Sequence, residues 1–74
     1  MFDAGNLAAE IWVGGDEGEL RDGNVLVEVG DNEIDVHLRV DGAIVASATF
    51  SAVGSGFLAG YLAAAAEEAV RTRT

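Results

Sequence analysis

Val25 to Phe50 reads VLVEVGDNEIDVHLRVDGAIVASATF, and its two-residue alternation decides the fold. Val25, Val27 and Val29 point one way, with Leu26 and Glu28 on the other side. Ile34, Val36 and Leu38 then alternate with Asp35, His37 and Arg39. Ile44, Ala46 and Ala48 alternate in turn with Val45, Ser47 and Thr49. Successive strand side chains project to opposite faces, so the pattern predicts three half-buried strands sharing one apolar face. Asp31-Asn32 combines two residue types that tolerate left-handed backbone and predicts a two-residue turn. That turn sets Val29 opposite Ile34, Val27 opposite Val36 and Val25 opposite Leu38. For the second turn, a three-residue loop over Val40-Asp41-Gly42 opposes Leu38 with Ile44 and Val36 with Ala46, keeping every apolar residue on one side. A two-residue loop at Asp41-Gly42 would turn Ile44 to the polar face.

Downstream, Gly54 to Val70 reads GSGFLAGYLAAAAEEAV, with Glu67 and Glu68 its only charges. The spacing predicts a helix over residues 55–71 with Ser55 as its cap; Ser51 is the rival cap, but it would place more glycine inside the helix. One arc, Phe57, Leu58, Tyr61, Leu62, Ala65 and Ala69, is expected to cover the valine face of the sheet. A single-domain surface helix carries a charged face opposite its apolar stripe. This one does not, so it is expected to meet protein on two sides. Gly56, Gly60 and Ala64 recur every four residues away from that arc and form a ridge of small side chains. Such a ridge lets a second backbone approach closely, so it is a candidate seat for the same helix of a second subunit.

Upstream, residues 6–13 read either as a strand, with Leu7, Ala9, Ile11 and Val13 alternating against Glu10 and Trp12, or as a short helix capped by Asn6 and stopped by Gly14. The alternation favours the strand. GGDEGELRDGN, Gly14 to Asn24, reads as a polar loop or a wide hairpin connection. The whole is an α+β fold: one domain over 1–74, an antiparallel three- to four-stranded meander over 24–50 and its N-terminal neighbour, and one C-terminal helix on one face. With residues 6–13 as a helix, the order helix, three strands, helix resembles double-stranded-RNA-binding domains in topology and length. Those domains carry a lysine cluster at the start of the last helix, where this chain has Ser55, Gly56 and Phe57.

Composition bounds the function. The chain has 74 residues, no cysteine, no proline, and a formal net charge of −9. So short a chain is marginal alone and usually gains support from disulfides, a metal or a partner. Without cysteine and with a single histidine, His37, oligomerisation is the remaining support. All four basic residues are arginines, and 13 residues are acidic. This balance repels nucleic acid and anionic membrane. Acidic excess without lysine, rich in Ala, Gly and Val, suggests a halophilic, salt-accumulating cytoplasm; an ordinary acidic protein of a GC-rich bacterium or its phage is the competing source. The acidic start MFDAGN does not read as a secretion signal, and Val53 to Ala66 is too short to span a bilayer, so a cytoplasmic location is expected.

Four chemical candidates remain. The register above aligns Leu26, His37 and Val45 in one row on the outer face, and with Trp12 they are candidate interface residues. Glu28 opposite Asp35, with His37 alongside, is a candidate divalent-metal set, since a cation would relieve like-charge repulsion. No serine or cysteine is spaced to form a catalytic set with His37. The glycine-rich Gly14–Gly23 stretch lacks the lysine and spacing of a phosphate loop. The expectation is a small non-enzymatic interaction module without a cofactor, homodimeric or a subunit of a small complex. The alternatives are a nucleic-acid-associated regulator and a small metal- or ligand-binding protein.

Overall fold

The computed structural model describes residues 2–72, with side chains from Gly5 onward. Its elements run β1 (Phe2–Val13), a 3-10 turn (Gly15–Glu17), β2 (Glu19–Val29), β3 (Glu33–Val40), β4 (Ala43–Ser51) and α1 (Ala52–Arg71). The four strands form one antiparallel meander in the order β1-β2-β3-β4, followed by the single helix. The α+β expectation holds. Residues 6–13 are strand, so the order that resembled double-stranded-RNA-binding domains is not formed. The segment after Gly14 is a far tighter connection than its composition suggested. Only Gly14–Gly18 turn, and Glu19 to Asn24 continue β2. Polar strand residues in a two-stranded arm face solvent on both sides, which removes the hydrophobic signal of a strand.

The first hairpin has the expected register: Val29 faces Ile34, Val27 faces Val36 and Val25 faces Leu38. Asn32 takes the left-handed conformation, φ 58°, and the Gly30 N–H donates to the Glu33 carbonyl. The second hairpin differs from expectation. Asp41 and Gly42 both have positive φ, 54° and 80°, the geometry of a two-residue type I′ turn, and Val40 pairs with Ala43. Ile44 pairs with Arg39 on the outer face, and the register then shifts so that Leu38 meets Ala46 and Val36 meets Ala48. A bulge at Val45 therefore restores the inner face after the short turn. The sequence reading conserved the pattern by lengthening the loop. The chain conserves it by an extra residue inside the strand, at the cost of leaving Ile44 55% exposed.

The helix starts earlier than expected. Ser51 is the cap, its Oγ accepting from the Gly54 N–H at 2.9 Å. Ser55 instead donates its hydroxyl back to the Ala52 carbonyl at 2.8 Å. Strand and helix are thus joined without a loop, and three glycines lie inside the helix. Ser51→Ala is expected to lower stability by about 1 kcal/mol. Urea titration followed by circular dichroism checks it, with Ser55→Ala expected to cost less.

The covering arc also differs from expectation. Phe57, Tyr61 and Leu62 are 64%, 72% and 61% exposed, and Ala65 and Ala69 are exposed too. Within α1 only Gly54, Ser55 and Leu58 are half-buried. The helix leans on β3 and β4 through Leu58 and leaves the valine face open beneath its flank. Among the described residues the buried apolar set is Ile11, Leu26 and Val40. Gly23 pairs with Ala9 of β1 and Val40 of β3, and Ile11 Cδ1 lies 2.8 Å from where a Gly23 Cβ would stand. Arg21 pins this end to the second turn through a 2.7 Å ion pair with Asp41.

Candidate interface

Two apolar clefts flank Leu58 on the inner face. The larger, about 350 Å³, lies between α1 and the β1–β2 side of the sheet and is lined by Leu7, Val25, Val27, Leu58 and Leu62 among others. The smaller, about 210 Å³, opens toward β4 between Leu58 and Val36, Leu38, Ala46, Ala48 and Phe50. The floor of both is the strand alternation read from the sequence. Their openness follows from the helix: small residues at Gly54, Ser55 and Ala59 leave Leu58 as the one large side chain that reaches the sheet early in the helix.

The small-residue ridge lies on the far side. Side chains built at Gly56 and Gly60 would meet nothing within 4 Å, and Ala64 is exposed. At about 100° per residue, Val53, Phe57 and Tyr61 border that ridge on its other flank. Val53 is 71% exposed, so this upper face carries a valine and two aromatic rings beside the glycines.

The outer face of the sheet is polar and differently arranged than expected. The bulge moves Val45 out of the row and puts Ser47 opposite His37, so the row reads Asn6, Leu26, His37, Ser47. Leu26 is 8% exposed and contributes no patch. It lies under a hydrogen-bonded network: Asn24 donates to the Asn6 Oδ1 at 2.7 Å and accepts from Arg39 Nε at 3.2 Å. Trp12 is remote from this row, opposite Leu20 at the tip of the β1–β2 arm, and its indole N–H donates to the Gly15 carbonyl. Leu26, Val45 and Trp12 therefore do not form one surface.

His37 has partners on both ring nitrogens. Nδ1 is 2.7 Å from Ser47 Oγ and Nε2 is 2.8 Å from Glu28 Oε1. The sequence reading missed this serine because its assumed register placed Val45 there; the Asp-Gly dipeptide was the signal for the short turn that shifts it. In order, a hydroxyl, an imidazole and a carboxylate can relay a proton. The relay stands on the open sheet face, and both clefts are on the opposite face. Asp35 accepts from the Thr49 hydroxyl at 2.7 Å instead of turning toward Glu28. The metal set is thereby divided: among the described residues no group of three His, Asp or Glu side chains is placed to hold an ion. No described helix is long and apolar enough to cross a membrane. No family model matches the chain, nor does any curated protein or solved structure.

Proposed function

We propose that this chain is a non-enzymatic interaction module that acts as a homodimer, its exposed helix flank covered by a second copy. The supporting observation is how much surface a single copy leaves uncovered. The chain exposes 5543 Å², where about 4,300 Å² is the norm for a folded monomer of this mass. Its radius of gyration is 13.9 Å, against about 11 Å for a compact domain of this length. The excess of about 1,200 Å² exceeds the roughly 800 Å² that each partner contributes to a standard interface. Phe57 and Tyr61, 64% and 72% exposed, are among the residues that such an interface covers. A solvent-exposed set of this size is otherwise an aggregation hazard.

Sedimentation equilibrium at low and high salt tests the proposal. A mass of twice 7.6 kDa is expected, with tighter association at high salt, because two copies of charge −9 repel and salt screens the repulsion. A single-copy mass at millimolar protein in both salts would overturn it.

A further inference from the structure

Apolar faces say that something covers this chain; the edge of its sheet says how. The inference here rests on the homodimer reading and adds its geometry. The backbone ladder fixes which groups of β4 are free. Gly30 and Glu33 form a bonded rung, and bonded rungs alternate along an antiparallel pair. Glu28–Asp35 and Leu26–His37 are then the bonded rungs between β2 and β3. Ile34, Val36 and Leu38 consequently bond to β4, at Phe50, Ala48 and Ala46. Ser47 and Thr49 turn their N–H and C=O groups outward, away from the sheet.

Sheet edges are normally protected by charge, proline or a short length. The β1 edge has Asp3 and Glu10 in its sequence and a register irregularity between Asp3 and Gly5. The β4 edge has no such charge. Its sequence is AIVASATFS, nine residues with no charged side chain, exposed from Ala43 through Thr49. The neutral stretch is longer still: from Gly42 to Ala66 the chain carries no charge at all, although its net charge is −9. Two like-charged copies meet at least electrostatic cost through this stretch, and it contains both β4 and most of α1.

We propose that β4 pairs antiparallel with β4 of a second copy, about a two-fold axis through the Ser47–Thr49 stretch, joining two meanders into one eight-stranded sheet. Both helices then lie on the same face of the joined sheet. Turning around α1 from Leu58 toward the β4 side brings Tyr61 and then Phe57. These exposed rings sit on the flank nearest the axis, so strand pairing places them between the two helices. One contact thus satisfies the free backbone groups of β4 and covers the aromatic flank of α1.

Amide hydrogen exchange of the full chain, followed by NMR, tests this against other dimer geometries. The Ser47 and Thr49 amides, which have no partner strand within one copy, are expected to exchange about 100-fold slower in concentrated than in dilute protein. Thr49→Pro removes an outward donor, which an edge strand tolerates, and is expected to weaken the dimer about 100-fold with the circular dichroism retained. Thr49→Val removes the hydroxyl bonded to Asp35 but keeps the N–H, and is expected to dimerise like the parent. A dimer whose Ser47 and Thr49 amides exchange freely, or one unaffected by Thr49→Pro, would overturn the strand pairing and leave the homodimer reading standing. A monomer at every concentration would overturn both.

Discussion

Replacing Gly23 by alanine is expected to lower stability by about 3 kcal/mol. Gly23 lies in the middle of three paired strands. It pairs with Ala9 on one side and Val40 on the other. A Cβ there would run into the Arg39 carbonyl and would lie 2.8 Å from Ile11 Cδ1. The first obstacle is backbone, so it yields only if the β2–β3 pairing shifts. The second is one of the few buried side chains, Ile11, 4% exposed. Chains of this size are stable by only a few kcal/mol, so much of the population should unfold. Urea denaturation measures the loss. Ile11→Val removes Cδ1 and should restore only part of it, because the carbonyl obstacle remains. A Gly23→Ala variant with the parent's midpoint would show that the strands do not meet as described.

The second large effect is on association. Phe57→Glu with Tyr61→Glu adds two negative charges to the exposed flank of α1, whose side chains are 64% and 72% exposed in the single copy. The fold loses little, since neither ring packs on the sheet. The dimer should weaken by at least about 100-fold, through lost aromatic burial and added like-charge repulsion. Gly56→Ala and Gly60→Ala are the informative contrast. Each side chain would enter open space, so each should stabilise the helix by up to about 1 kcal/mol. If they instead weaken association, the ridge is packed against the partner. Sedimentation and thermal melts of the same variants separate the two effects.

The strands from Val25 to Leu38 could be read directly, because alternation over a half-buried sheet has a period of two and Asp-Asn marks the turn. The second hairpin could not be read by the same rule. Alternation alone is satisfied by a longer loop or by a bulge, and does not choose between them. Turn chemistry does, since Asp-Gly is the preferred type I′ pair. Assuming the longer loop displaces Val45, hides Ser47 from His37 and suggests an outer-face patch that the register does not form. The helix boundary failed for a related reason. The intrinsic helix cost of glycine argues for a later start, whereas the Ser51 cap and the direct strand-to-helix junction fix the start at Ala52. The uncovered helix was legible from the missing charged face of Gly54–Ala66. Which flank would lean on the sheet was not, because an all-round apolar helix has no period to orient it.

One copy of this chain leaves an apolar helix flank and a neutral strand edge uncovered, and the proposed pairing buries both. Thermal unfolding over a hundredfold range of protein concentration tests this most directly. Folding coupled to dimerisation makes the melting temperature rise with concentration, as mass action requires, and that rise is the predicted result. A melting temperature independent of concentration, for a cooperatively folded chain of single-copy mass, would contradict it.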